Sequence, residues 1–203
     1  MASHPHMRQF LLFVFALLIP CFLLWTMASN LLALPAVGIV NFVLTQWFPD
    51  VVHALYIQGN NVLLMTQFGE MNGQPAPLAG SEYRLGFEVN TRILSYSFPF
   101  YTALHFATQR KDYFNSYVWG LLVLYPLFAI SLLLLCLKTL MVSLGPLFFE
   151  QPGVFVPNVN VIGLLYQFSV LIIPTLAPAI VWLWQSRDTP LLRAALAGES
   201  SQL

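Results

Sequence analysis

From Gln9 to Pro49 the chain carries no Asp, Glu, Lys or Arg, and this uninterrupted apolar run constrains the fold more than any other feature. The hydrocarbon core of a bilayer is about 30 Å thick, so one helix needs roughly 20 apolar residues to cross it. The run is about twice that length, which no soluble domain requires, and three further apolar stretches follow it. Only 8% of the 203 residues are charged, against roughly 25% in soluble domains. The chain therefore reads as a mainly α integral membrane protein in direct contact with membrane lipids. With no net charge and no basic cluster, it is not expected to bind nucleic acid.

Lys and Arg in short loops mark the cytoplasmic side of a membrane protein. Arg8, Arg110, Lys111, Arg187 and Arg193 fall at the N-terminus, after the second apolar stretch and in the C-terminal tail. Four transmembrane helices, at about 10–28, 93–109, 117–140 and 161–184, satisfy all three places with both termini inside. The second is at the short limit for a crossing and carries Ser95, Ser97, Thr102, His105 and Thr108, so it should face other helices rather than lipid. The first is longer than the roughly 7–15-residue core of a signal peptide and reads as an uncleaved anchor. The whole chain, 1–203, is expected to form one membrane domain, with residues about 30–92 and 141–160 on the outer side.

Residues 35–48 would make a helix about 21 Å long at 1.5 Å per residue, too short for a second crossing. They are expected to lie in the outer interface, with Gly38, Asn41 and Thr45 on one face and Trp47 at headgroup depth. The period then changes to two. Strands are predicted at 51–57, 62–68 and 83–90, the first pair joined by a tight turn with Gly59-Asn60 at its centre. A three-stranded antiparallel sheet of this size cannot bury a core alone, so its apolar face must rest on the 35–48 helix or on the membrane surface. The glycine- and proline-rich stretch 69–82 reads as an irregular loop, and residues 143–160, with Gly145, Pro146, Pro152, Gly153 and Pro157, as a greasy connection at the interface.

Chemistry is scarce. No metal-ligand spacing or phosphate-cradling glycine pattern occurs, so no metal or cofactor is expected. Cys21 and Cys136 fall inside predicted spans and read as small hydrophobes rather than a disulfide. Lys138, near the outer end of its span, should snorkel or pair with Glu88 or Glu150. Pro174 and Pro178 each remove a backbone donor and crowd the carbonyl four residues earlier, so the last span should kink, leaving Gln167 free to hydrogen-bond across helices. His105 is the remaining ionisable group at membrane depth.

The stretch Leu85-Gly86-Phe87-Glu88-Val89-Asn90 leading to Ile93, Leu94, Tyr96 and Pro99, with Leu165-Tyr166-Gln167-Phe168 leading to Pro174, Ala177, Pro178 and Trp182-Leu183-Trp184, resembles the exosortase H-associated membrane proteins. These are small bacterial inner-membrane proteins encoded beside a membrane-embedded sorting transpeptidase. The resemblance implies a bacterial inner-membrane protein and a membrane partner, either that enzyme or its C-terminally anchored substrates, but supplies no catalytic residue. The enzyme itself uses a Cys, Arg, His set. Here Cys136, Arg92 and His105 are expected at different depths, so the chain reads as a non-catalytic accessory protein. A membrane enzyme using Arg92, Tyr96, His105, Cys136 or Lys138, and a small transport or lipid-handling protein, are the alternatives. The residues expected to bind a partner are Asn90, Arg92 and Tyr96, where the sheet meets the second span, and Tyr166 and Gln167 on the fourth.

Overall fold

The computed structural model describes residues 5–59, 61–71, 73–78, 81, 83–108 and 113–189. Asn60 of the predicted turn and the topology markers Arg110, Lys111 and Arg193 lie outside them. Among the described residues three helices are long and apolar enough to cross a membrane, spanning Arg8–Trp47, Tyr113–Leu144 and Val159–Ser186. The four predicted spans are not confirmed, and the structure departs from the expectation in two places.

First, the predicted 10–28 span and the 35–48 helix are parts of one helix, α1, Pro5–Trp47. Its 43 residues extend for about 64 Å at 1.5 Å per residue. Pro20 and Pro35 lie inside it without ending it. Proline is tolerated within membrane helices because neighbouring helices and local adjustments satisfy the freed backbone groups.

Second, the predicted 93–109 span is two short helices, α2 Arg92–Ser95 and α3 Ser97–Ala107, while Gln109 falls outside the described residues. Pro99 accounts for the break, since its ring crowds the carbonyl of Ser95, where α2 ends. The 11 residues of α3 reach about 16 Å, half the hydrocarbon thickness. The helix is buried in protein instead, through Phe98, Tyr101, Ala103, Leu104, His105 and Ala107.

Four strands form between α1 and α2: β1 Val52–Gln58, β2 Asn61–Met71, β3 Gln74–Pro77 and β4 Arg84–Val89. β1 and β4 each pair antiparallel with β2, as predicted for three strands, and the turn closes with Gln58 opposite Asn61 and Gly59 at φ +59°. β3, also antiparallel to β2, corrects the reading of 69–82 as wholly irregular. Its Pro75 and Pro77 cannot donate to a ladder, but a short flanking strand tolerates them. Beyond the sheet come α4 Tyr113–Leu144, α5 Pro146–Phe149 and α6 Val159–Gln167. A π turn, Phe168–Ile172, leads into α7 Ile173–Ser186. Asn158 caps α6 by accepting from the Asn160 amide at 2.9 Å.

The chain divides into two compact units. One contains residues 1–28, 96–126 and 174–203, and the other 29–95 and 127–173. In the first, Phe10, Val14, Leu104 and Ala107 form a buried cluster, against which Leu17, Leu18, Phe100 and Trp182 pack. The Trp182 and Phe10 rings stack with centroids 5.3 Å apart. In the second unit, Ala33, Val37, Val40 and Leu44 recur every three or four residues along α1 and, with Ala36, are all buried, as are Val62, Leu64, Thr66 and Phe68 on alternate positions of β2. Two asparagines of α1 hold the hairpin. The Leu55 amide donates to Asn41 Oδ1 at 2.7 Å, and Asn30 Nδ2 donates to the carbonyl of Gly59 at 2.6 Å. Trp47 Nε1 donates to the Phe155 carbonyl at 3.0 Å, tying the end of α1 to the connection before α6.

Candidate functional site

In the second unit, four of the five predicted partner-binding residues fall around α2 and the end of α6. Asn90 Oδ1 accepts from the Arg92 amide at 3.0 Å, an Asx-type turn that starts α2 directly after β4. α2 in turn packs against the π turn that follows Tyr166 and Gln167. Arg92 Nε is buried and has no hydrogen-bond partner among the described residues. Gln167 is exposed and Tyr166 half-buried. Lys138 places its ammonium over the Tyr166 ring, 5.3 Å from the centroid, an attractive arrangement for a cation with little water around it. Glu88 accepts instead from Asn61 Nδ2 at 3.0 Å. Lys138 thus has a ring partner rather than either acid considered for it.

The helix distortion expected from Pro174 and Pro178 takes a definite form. Ahead of Pro174 the ladder widens, and the Ile173 amide donates to the Phe168 carbonyl, five residues back. The π turn lies one turn upstream of the proline, where the ring would otherwise crowd the Val170 carbonyl, and such turns recur at functional positions. Pro174 and Pro178 themselves are buried.

Tyr96, the fifth predicted residue, belongs to the first unit. There it lines an apolar groove of about 560 Å³ with Leu18, Ile19, Phe22, Phe100, Thr175 and Ala179. His105 is also in this unit and only 2% exposed. Its Nε2 lies 2.7 Å from the Tyr113 carbonyl, and because a carbonyl only accepts, that nitrogen carries the proton. Nδ1 faces the Tyr101 hydroxyl at 3.4 Å. That hydroxyl donates to Gln185 Oε1 at 2.8 Å, while Gln185 Nε2 donates to the Ser116 carbonyl at 2.8 Å. Tyr117 stacks on Tyr101 with centroids 5.7 Å apart, and its hydroxyl meets Thr102 Oγ1 at 3.0 Å. Trp182 Nε1 donates to Thr108 Oγ1 at 2.7 Å.

The polar side chains of α3 are therefore spent on holding α3, α4 and α7 together in this unit. The sequence reading singled out His105 but not Tyr101, Tyr117 or Gln185. The four-residue spacing of Tyr101 and His105, which places both on one helix face, was the available signal. No group of three His, Cys, Asp or Glu side chains suited to a metal occurs among the described residues. Cys21 and Cys136 are free thiols, the latter fully buried.

Three apolar helices long enough to span a bilayer, a small sheet held to one of them and polar side chains satisfied between helices define an integral membrane protein. Within that class, the chain belongs to the exosortase H-associated membrane protein family, whose model matches residues 4–189. The family's name associates its members with an exosortase system. No curated protein and no solved structure matches the chain.

Proposed function

We propose that this protein is a non-catalytic accessory component of an exosortase-type sorting system in the bacterial inner membrane, binding the sorting enzyme or its C-terminally anchored substrates. The observation that carries the reading is the partnerless Nε of Arg92, buried beside the π turn that follows Tyr166 and Gln167. A buried donor without an acceptor costs about 1–3 kcal/mol, more when charged, so Arg92 Nε calls for an acceptor that the described residues do not supply. Gln167, the residue before the π turn against which α2 packs, is exposed and offers a second polar contact. A backbone carbonyl or carboxylate of a membrane partner fits this pair.

The non-catalytic reading draws on the surroundings of His105 and Cys136. The ring nitrogens of His105 face the Tyr113 carbonyl and the Tyr101 hydroxyl, and Cys136 is fully buried.

The test is recovery of partners from native membranes by the tagged protein and by an Arg92→Gln, Tyr166→Phe, Gln167→Ala variant of matched abundance. The reading expects the variant to lose most of the exosortase-system proteins that the parent retains. Equal recovery would contradict it.

A further inference from the structure

The outer edge of β4 is an open row of backbone hydrogen-bonding groups, and the strand pairing fixes which ones. The Leu55 amide donates to Asn41 rather than to β2, so alternation directs the main-chain groups of Ala54 and Tyr56 at β2, where they face Met65 and Leu63. The intervening residues of β2, Val62 and Leu64, are then directed at β4, where they face Val89 and Phe87. The Leu85 carbonyl is turned the same way and accepts from Thr66 Oγ1 at 3.0 Å. The N–H and C=O groups of Arg84, Gly86 and Glu88 therefore point away from the sheet, and none has a hydrogen-bond partner among the described residues. Such an edge is a template for another strand.

The direction of the edge selects the strand that fits it. Asn30 holds the Gly59 carbonyl and Asn41 the Leu55 amide, so β1 runs back along α1. β4 is parallel to β1, because both are antiparallel to β2, and follows the same axis. α1 is long and apolar enough to cross a membrane, and an extended chain leaving a membrane anchor runs in that direction. A second copy does not fit. Two identical edges close a two-fold pair only when antiparallel, whereas copies inserted alike in one membrane carry β4 in the same direction. Gly86 adds a preference. It is exposed, and Met65 Sδ and a Leu63 methyl lie 2.6 and 3.2 Å from where its Cβ would be. A large apolar side chain opposite Gly86 on the incoming strand would rest on those two half-buried residues.

We propose that the edge of β4 binds, by main-chain pairing, an extended segment of another polypeptide beside that polypeptide's membrane anchor, with a large apolar residue opposite Gly86. Main-chain bonds give such pairing its affinity and alternate side chains its specificity. The proposal rests on the reading that a membrane partner is bound at Arg92, which the chain reaches directly after β4, and it names the form in which that partner is held.

The full-length tagged protein, with p-benzoyl-phenylalanine in place of Arg84, is illuminated in native membranes, alone and with Glu88→Pro or Glu88→Ala added, and the adducts are mapped by mass spectrometry. Glu88→Pro removes one outward donor and no bond of the ladder, a change an edge strand tolerates. Glu88→Ala removes the carboxylate that holds Asn61 and keeps the N–H. The expected adducts join a membrane-anchored polypeptide at residues adjoining its anchor, persist in Glu88→Ala and fall about fivefold in Glu88→Pro, the factor that one ordinary hydrogen bond confers. Hydrogen exchange at the Phe87 and Val89 amides reads whether Glu88→Pro keeps the sheet, and should the sheet loosen, the adduct map alone decides. Adducts to lipid only, to a second copy of this chain or to a folded domain away from any anchor would overturn the proposal, as would equal loss in both Glu88 variants or loss in neither. Where exosortase-system proteins are still recovered with the unaltered chain, those outcomes sink the edge alone, and where none is recovered the Arg92 reading falls with it.

Discussion

Gly120→Ala is the sharpest test of the buried network in the first unit. In a helix interior this exchange ordinarily stabilises by about 1 kcal/mol, because glycine gives up more backbone freedom. Here a Cβ would overlap the hydroxyl and Cζ of Tyr101 and stand 2.8 Å from its Cε1. The tip of a free side chain could swing aside, but Tyr101 is fully buried, stacked on Tyr117 and bonded to Gln185. Displacing the ring breaks the Tyr101–Gln185 hydrogen bond, and the buried Tyr101 hydroxyl loses that acceptor, at about 1–3 kcal/mol. Overpacking adds about 1–3 kcal/mol. After the propensity gain the net loss is about 3 kcal/mol, or roughly 6–12 °C in midpoint by the scaling for proteins of this length. Thermal unfolding of the detergent-purified protein measures it, with Gly163→Ala as control, since a Cβ there meets nothing within 4 Å. Most of the loss should vanish in a Tyr101→Leu background, because the two changes share one contact. The argument is refuted if Gly120→Ala melts together with Gly163→Ala.

Three further predictions address the second unit. Asn41→Leu removes the acceptor of the Leu55 amide and should cost about 1–3 kcal/mol, visible as faster hydrogen exchange at Leu55 and neighbouring β1 amides. Gly59→Val forces a β-branched residue to φ +59° and should destabilise by about 1–3 kcal/mol, read from the same exchange experiment as loosening of the β1–β2 hairpin. Ser131→Ala should be neutral or raise the melting point slightly, because Ser131 Oγ is buried without a partner and its removal relieves an unmade hydrogen bond. A large loss of stability in Ser131→Ala would show that the hydroxyl has a role the structure does not reveal.

The sequence disclosed the membrane class and the sheet because both rest on simple periods. The charge-free run needs no tertiary information, and the alternation in 83–90 marks Phe87 and Val89, half-buried and buried in β4, against the exposed Gly86 and Glu88. Length arguments fared less well. The run was divided near residues 28–35 because a crossing needs only roughly 20 residues, whereas α1 continues through Pro35 to Trp47. The stretch 93–109 was read as crossing because it is apolar, yet a buried helix is equally apolar. The distinguishing evidence is Pro99, which separates α2 from α3, and the polar residues Thr102 and His105, whose partners Tyr117 and Tyr113 lie on α4. Of the candidate site, Asn90, Arg92, Tyr166 and Gln167 were found from sequence and share one unit, while Tyr96 falls in the other, on the groove. That separation depends on where α3 packs, which no local pattern encodes. Gln185 was missed for the same reason, since its partners Tyr101 and Ser116 are distant in sequence.

The account's central claim is association with an exosortase system through the second unit. A photo-crosslinking amino acid at Gln167, with a second variant carrying it at the lipid-exposed position Leu24, would be illuminated in native membranes, and the tagged adducts purified and identified by mass spectrometry. The account predicts that Gln167 captures the sorting enzyme or its uncleaved C-terminally anchored substrates and that Leu24 captures neither. Capture from Gln167 of lipid only, or of the same proteins from both positions, would contradict it.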